Sequence, residues 1–190
     1  TLPFNNFKIG LPSGLSKGLY NFNLISGLTM HVSHIRDFSQ LPIPFLCIAT
    51  DAETGEKVVL DHGILAQSVL ASGAIPTLYN PVEIKGRLLI DGGVVDNYPV
   101  EELKKRGVDF IIGVDVQESL KSREQLQEVT QVLAQINNFS MIERMDANRA
   151  ATNIYIKPDI KGFTVVAFDK GIEIIEKGEE KATEHIRELA

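Results

Sequence analysis

The stretch that most constrains the fold is RLLIDGGVVDNYP, which runs from residue 87 to residue 99. Residues 88–90 form a short apolar run of the kind found in buried strands. Asp91 follows where this strand is expected to end, which is the usual place for ligands and chemistry in an open α/β sheet. Gly92 and Gly93 come next and permit a tight turn or the close approach of another segment. The local pattern alone favours an ordinary turn or capping acid at Asp91.

A helix and a further strand are expected after this turn. Asn97 can cap a helix and Pro99 suits its first turn, so a helix is predicted over residues 99–106. A nearly continuous apolar run at 108–116 then predicts a strand covered on both faces. Strand, helix and strand in this order predict a right-handed parallel crossover. Asp115, near the end of the second strand, is expected to cap or anchor the fold.

Apolar periodicity and turn residues predict the remaining elements. Helices are expected over residues 17–29, 63–74, 121–150 and 171–189, and strands over residues 43–50, 57–61, 78–84 and 153–156. The segment DAETGE between the first two of these strands is turn chemistry and predicts a hairpin. Length favours a single domain over residues 1–190, with a motif-bearing part at 1–116 and C-terminal helices with a short strand at 117–190.

Charge and cysteine content limit the classes of partner. The formal net charge of -6 argues against nucleic acid and anionic membrane surfaces as main partners. No apolar run approaches the roughly 20 residues that a membrane helix needs. The single cysteine, Cys47, excludes an intramolecular disulfide and does not choose a compartment. His31 and His34 lack a neighbouring carboxylate ligand, so neither a metal nor a cofactor is predicted.

One short motif invites a catalytic interpretation. The segment from Gly14 to Gly18 reads GLSKG and matches the G-x-S-x-G pattern of a nucleophile elbow, which would make Ser16 the nucleophile. An elbow needs a hydrophobic strand before the serine, whereas residues 8–13 make a poor central strand with Pro12 in the way. A short motif without its context is weak support, so a chance match is favoured.

Several segments, taken together and in order, carry a resemblance to a known family. They are LPIPF at 41–45, ATD at 49–51 with Gly55, ASGAIP at 71–76, DGG at 91–93 with Asn97 and Pro99, and GVD at 107–109 followed by an isoleucine-rich strand. In this order they resemble the C-terminal part of a bacterial patatin-like phospholipase domain. The resemblance runs from about residue 10 to residue 115 and continues more loosely beyond.

The resemblance implies an α/β fold with a mostly parallel central sheet flanked by helices. It also implies a serine acyl hydrolase that acts on lipid esters through a Ser-Asp dyad, without a catalytic histidine, a metal or a cofactor. The family's aspartate carries over to Asp91, and Gly92, Gly93 and Asn97 carry over to the active-site turn. A carboxylate can activate a serine hydroxyl if it lies within hydrogen-bond reach and if its surroundings raise its basicity.

The chain departs from the family pattern in one respect. In the family, the nucleophilic serine and the glycine-rich oxyanion loop both precede the matched region. This chain is therefore expected to hold the base, to need the N-terminal half of the same domain as a partner, and to be inactive alone. The alternative is a non-catalytic scaffold or interaction module with the patatin fold.

The resemblance also bears on partners and location. A lipid or ester substrate is expected, and peripheral contact with a membrane is compatible with such a substrate. The end of the chain resembles patatin domains that are joined to an outer-membrane barrel in some bacteria. The location is therefore left open between the cytoplasm and an exported, outer-membrane protein.

Overall fold

The computed structural model describes residues 4–5, 8–9, 14–117, 120–127, 129–163 and 167–186. The chain divides into two compact units, Thr1–Asn97 and Tyr98–Ala190. Each unit combines strands with helices, which confirms a mixed α/β fold. A single domain over residues 1–190 stays a prediction.

The first unit contains eight described strands and two α-helices. They are β1 (Phe4–Asn5), β2 (Lys8–Ile9), β3 (Gly14–Ser16), α1 (Leu19–Leu28), β4 (Cys47–Asp51), β5 (Lys57–Leu60), α2 (Leu65–Ser72), β6 (Thr77–Tyr79), β7 (Val82–Ile84) and β8 (Arg87–Asp91). Short 3-10 helices lie at Met30–Val32, Phe38–Gln40 and Gly92–Val94. The predicted helices at 17–29 and 63–74 are thus confirmed, with somewhat shorter bounds.

The largest sheet among the described residues has the strand order β5-β4-β8-β7, and its three strand pairs are all antiparallel. The prediction of a mostly parallel central sheet is therefore wrong for this sheet. The cause lies in the connections, because β4 and β5 are joined by residues 52–56 and β7 and β8 by residues 85–86. Connections this short allow only antiparallel neighbours. Parallel pairing occurs in two smaller sheets, between β3 and β6 and between two strands of the second unit.

Small and branched apolar residues form the core beside the main sheet. Ala49 of β4, Leu60 of β5, Ala71 of α2 and Leu89 of β8 are buried in one cluster. Helix α2 packs on β4, β7 and β8, and the alanine at position 71 lets it approach the sheet closely. This packing fixes the end of β8, where the candidate site lies.

The second unit contains three α-helices and two strands in its described part. They are α3 (Val100–Lys105), β9 (Ile112–Val114), α4 (Val129–Ala150), β10 (Ile154–Ile156) and α5 (Gly171–Ile186), with 3-10 helices at Arg123–Gln125 and Phe168–Lys170. The predicted strand at 108–116 is shorter than expected, and the predicted helix at 121–150 begins only at Val129. The last residues of the final predicted helix, 187–189, lie outside the described residues.

The predicted parallel crossover from β8 to the next strand is wrong. β9 pairs in parallel with β10, whereas β8 lies between β4 and β7 in the main sheet. Both edges of β8 are therefore occupied, which leaves no edge at which β9 could pair with it.

Asp115 follows β9 and anchors the second unit, as predicted. Its buried carboxylate accepts hydrogen bonds from the Gln117 N–H at 2.8 Å, from Lys157 Nζ at 2.9 Å and from the Tyr155 hydroxyl. Burial alone would raise the pKa of Asp115, but the hydrogen bonds from Lys157, Tyr155 and Gln117 outweigh it and hold this pKa below its usual value. The Asp115 carboxylate is thus fully engaged in hydrogen bonds within the second unit.

Among the described residues, no helix combines the length and the apolar character that a membrane span requires.

Candidate active site

The backbone of Asp91 is held on both sides at the end of β8. Its N–H donates to the Ala74 carbonyl at 3.0 Å, and its carbonyl accepts from the Thr50 hydroxyl at 2.8 Å. Ala49 of β4 lies opposite Asp91, whereas β7 begins opposite Leu89 and does not extend along β8 as far as Asp91. Neighbouring segments other than β7 therefore complete the hydrogen bonding of this residue.

The Asp91 side chain folds back over the following turn. Its Oδ1 accepts the Gly93 N–H at 2.6 Å, and the Gly92 carbonyl accepts the N–H groups of Val95 at 3.1 Å and Asp96 at 2.9 Å. These bonds build the 3-10 helix Gly92–Val94, with Asp91 as its N-cap residue. The prediction of a strand that ends in an acid and continues into a glycine turn is confirmed.

The second carboxylate oxygen of Asp91 is left free. No hydrogen bond or ion pair to Oδ2 occurs among the described residues. Every fully buried side-chain oxygen or nitrogen in this part of the chain has a partner. Oδ2, which has none, is therefore not fully buried, and the residue as a whole is half-buried. One oxygen orients the carboxylate, and the other can accept a proton.

The two glycines of the turn meet different obstacles. A β-carbon at Gly92 would overlap the Ile48 carbonyl of β4, so the absence of a side chain lets the turn press against that strand. A β-carbon at Gly93 would lie 2.9 Å from Asp91 Oδ1 and 2.8 Å from the side-chain oxygen of Asn97. A side chain at position 92 would overlap main-chain atoms of β4. A side chain at position 93 would come too close to the side chains of Asp91 and Asn97.

Burial sets the electrostatics of Asp91. Loss of water around the carboxylate raises its pKa, and the hydrogen bond from Gly93 opposes this in part. Two cations of the same sheet are paired with other acids, Lys57 with Asp96 at 3.1 Å and Arg87 with Asp51 at 3.8 Å. Asp91 is therefore a carboxylate of raised basicity without a described counter-ion.

Asn97 does not cap the following helix, so that part of the prediction is wrong. The N-cap residue of α3 is Pro99, and no side chain accepts a hydrogen bond there. Asn97 lies too early for the capping position because the helix begins only at Val100. Its exposed side chain lies near Gly93 instead, which keeps it within the turn.

Ser16 ends the short strand β3 and precedes helix α1. Its Oγ accepts the N–H of Gly18, which has the left-handed φ of 69°, at 3.1 Å. No hydrogen bond joins Ser16 to Asp91 among the described residues, and residues 10–13 before the motif lie outside them. The interpretation of GLSKG as a chance match stays a prediction.

Two residues of the site received no role in the sequence analysis. Thr50 and Ala74 both belong to the segments that carry the family resemblance, yet their contacts with Asp91 span 41 and 17 positions. A hydroxyl inside the apolar strand CIATD was the available signal for Thr50. The Ala74 contact uses only a main-chain carbonyl and leaves no trace in residue type. In the described part of the chain, no group of three or more His, Cys, Asp or Glu side chains could hold a metal.

Comparison with known proteins shows which family this part of the chain resembles. Residues 37–104 match the family model described as "Patatin-like phospholipase". The matched segment contains β4, α2, β8 and the whole Asp91 turn. Over this segment the chain is similar to patatin-like phospholipases, and the resemblance seen in the sequence is confirmed.

The relatives found by sequence include uncharacterised NTE family proteins and lysophospholipases named NTE1. An uncharacterised NTE family protein of Mycobacterium tuberculosis (strain ATCC 25618 / H37Rv) is 40% identical over 77 residues, which cover 40% of this chain and 21% of the relative. Lysophospholipase NTE1 of Candida glabrata is 27% identical over 173 residues, 78% of this chain and 10% of the relative. Lysophospholipase NTE1 of Candida albicans is 34% identical over 97 residues, 51% of this chain and 7% of the relative. The chain thus spans about a fifth or less of the length of these relatives.

Proposed function

We propose that this chain supplies the general base of a serine acyl hydrolase that cleaves lipid esters, and that Asp91 is this base. The nucleophilic serine and the oxyanion loop come from outside the chain, in the N-terminal half of the same domain. One observation carries the proposal: the Gly93 N–H holds Asp91 Oδ1 at 2.6 Å, whereas Oδ2 has no partner among the described residues and is not fully buried.

The chemistry requires a base that is both oriented and basic. Asp91 Oδ2 accepts the proton of the serine hydroxyl while the serine oxygen attacks the ester carbonyl. The protonated carboxyl then gives this proton to the departing alkoxide, and an acyl-serine remains. In the second half, Asp91 takes a proton from water, the hydroxide attacks the acyl-serine, and the proton returns to the serine oxygen. The same carboxyl thus acts alternately as base and acid, and it is ionised again at the end of the reaction cycle.

Burial supports this role through the pKa of Asp91. A carboxylate with an ordinary pKa accepts a proton from an alcohol poorly, so a raised pKa increases the driving force for proton transfer. The half-buried setting raises the pKa, yet one oxygen is not fully buried.

The substrate class is inferred from the family and from the surface. The two Candida relatives are named lysophospholipases, and a lipid ester is the corresponding substrate of this chain. Helix α1 contains no charged residue and exposes Leu19, Tyr20, Leu24 and Leu28. These side chains favour peripheral contact with a lipid surface, despite the net negative charge of the chain.

The test compares carboxylate variants in the longer protein that carries this chain together with its N-terminal half. Asp91→Asn and Asp91→Ala should lower kcat for lysophosphatidylcholine and for a simple ester by about 10²–10⁴-fold, the usual contribution of a general base. Labelling of the serine by a fluorophosphonate probe should slow in parallel. The acid limb of the kcat/KM profile should lie above the ordinary Asp value of 3.8, since burial raises the pKa of Asp91.

Asp109→Asn is the matched control, because Asp109 is an exposed aspartate of the second unit. Its activity should equal that of the wild type. Equal turnover by the Asp91 variants and the wild type would remove Asp91 from the reaction. Absence of both turnover and probe labelling in the wild-type longer protein would favour the alternative, a non-catalytic module with this fold.

A further inference from the structure

A buried hydroxyl lies in the apolar strand next to the site. Thr50 is 2% exposed, and its neighbours Ile48 and Ala49 in β4 are apolar and equally buried. A buried hydroxyl is tolerated only when it is hydrogen-bonded, and an apolar residue of the same shape, such as valine, would suit a strand core better. A threonine at this position is therefore expected to donate its hydroxyl to an acceptor that has no other donor.

The partner is the carbonyl of Asp91. β7 begins opposite Leu89, so it offers no backbone donor at the level of Asp91. A buried carbonyl without a donor is unfavourable, and the Thr50 hydroxyl donates to it at 2.8 Å. The N–H of the same residue is bound by Ala74 at 3.0 Å. The two contacts fix the peptide groups before and after the Asp91 α-carbon.

We propose that Thr50 is a positioning residue, whose hydroxyl sets the direction of the Asp91 carboxylate by holding the Asp91 carbonyl. The proposal deepens the function proposed above and rests on it for its catalytic meaning. Thr50 acts on the carboxylate through the backbone and does not touch it.

The turn transmits the effect over a short path. The Asp91 carbonyl belongs to the peptide group that leads into Gly92, and Gly92 is packed against the Ile48 carbonyl without room for a side chain. The orientation of this peptide group determines where the next N–H, that of Gly93, points. This N–H holds Oδ1 and leaves Oδ2 without a partner among the described residues. Loss of the Thr50 hydroxyl therefore removes the hydrogen bond that holds the Asp91 carbonyl, which is the first contact in this series.

The experiment uses this chain and observes the carboxylate directly, so it does not depend on hydrolysis. The Asp91 carboxyl pKa is measured by carbon-13 NMR titration, and the protection of the Gly93 amide by hydrogen exchange. Thr50→Val keeps the shape and removes the donor, whereas Thr50→Ser keeps the donor. Thr29→Val is the matched control, because the Thr29 hydroxyl also donates to a main-chain carbonyl, that of Ile25 at 2.7 Å, at the end of α1.

In Thr50→Val the pKa of Asp91 should move away from its wild-type value, because a displaced carboxylate changes both its exposure to water and its hydrogen bond from Gly93, and the Gly93 amide should exchange faster. Thr50→Ser and Thr29→Val should retain the wild-type values of both. Should Thr50→Val fail to fold, Thr50→Ala also removes the donor and carries the same two expectations.

A folded Thr50→Val or Thr50→Ala with an unchanged Asp91 pKa and an unchanged Gly93 amide would overturn the proposal. In the longer protein, Thr50→Val should lower kcat by about 10–100-fold, the effect of a small misplacement at a reacting centre, with little change in KM. If Asp91 variants were fully active there, the proposed function would fail, while the NMR result would still decide whether Thr50 positions the carboxylate.

Discussion

Asp91 shows, at the scale of one residue, how the fold disfavours a charge that the proposed reaction needs. Burial raises its pKa, so folding shifts the protonation equilibrium of this group toward the neutral carboxyl. For a carboxyl with a raised folded pKa, the stabilising contribution is complete below the unfolded value and is lost as the pH rises through the folded value. At neutral pH the ionised carboxylate therefore lowers the free energy of unfolding.

Asp91→Asn should consequently raise the stability of this chain at pH 7 and lose this advantage below the unfolded pKa of about 3.8. The asparagine oxygen can still accept the Gly93 N–H, and its amide nitrogen can take the place of Oδ2, which is not fully buried. Thermal melts at pH 7 and pH 3 measure the effect, and a shift of about 2–4 °C would correspond to 1 kcal/mol in a chain of this length. Asp109→Asn serves as the exposed reference. An equal or lower melting temperature of Asp91→Asn at pH 7 would contradict the expectation.

Much of the site was predictable at this scale because its signals are local. A strand end, an acid and two glycines are adjacent in the chain, and the resemblance depends on them. The bond between Thr50 and Asp91 joins residues 41 positions apart, and it follows only from the pairing of β4 with β8. The capping role of Asn97 failed because the helix starts at Val100, which local composition did not indicate.

At the scale of the elements, the main feature is the contact between the Gly92–Val94 turn and β4. The turn Gly92–Val94 packs against β4 through Gly92, whereas Gly93 lies beneath the side chains of Asp91 and Asn97. The obstacle above Gly92 is main chain that cannot yield, and the obstacles above Gly93 are side chains that can swing away.

Gly92→Ala and Gly93→Ala should therefore separate stability from activity. Gly92→Ala should destabilise the chain by about 1–3 kcal/mol, as overpacking does. Gly93→Ala should have a smaller effect on unfolding but should displace the Asp91 carboxylate, and so lower turnover of the longer protein. Urea unfolding and ester hydrolysis, measured on both variants, test this contrast. Equal stability losses with equal activities would argue against it.

The elements themselves were predicted better than their pairing. Most helices and strands follow from periodicity and turn residues, and the hairpin of β4 and β5 follows from the DAETGE segment. The parallel arrangement failed because short connections on each side of the main sheet impose antiparallel neighbours. Strand pairing depends on which edges of the neighbouring strands are already occupied, and the sequence of a single segment does not indicate this.

The division into two units belongs to the scale of the whole molecule. The predicted motif-bearing part ends at residue 116, and this division stays a prediction; the two compact units of the structure are divided between Asn97 and Tyr98. The reason is that Tyr98 and Val100 form a buried cluster with Ile111 in the second unit. Their packing partners lie later in the chain, and local patterns do not reveal them.

The exposed apolar side chains of α1 should contribute to lipid binding by the whole chain. Tyr20 is 79% exposed and Leu28 is 68% exposed on a helix without charged residues. Tyr20→Glu or Leu28→Glu should weaken binding to phosphatidylcholine vesicles by about 10–100-fold, since burial of one such side chain contributes about 1.5–3 kcal/mol. Vesicle co-sedimentation gives the bound fraction.

Ile172→Glu provides the control on another helix. Ile172 is 78% exposed, but it lies on α5, whose sequence is rich in Glu and Lys. This variant should bind vesicles like the wild type. Equal losses in all three variants, or none in the α1 variants, would remove α1 as the lipid-contacting element.

The hydrogen bonds that hold Asp91 come from Thr50, Ala74 and Gly93, which all lie between residues 50 and 93 of this chain. The acceptor is thus assembled during folding, before an alcohol or an ester meets it. Little rearrangement is then needed at the moment of proton transfer, which is how preorganised dipoles accelerate reactions. In the proposed reaction, the base would therefore already be oriented when a serine hydroxyl is brought to it.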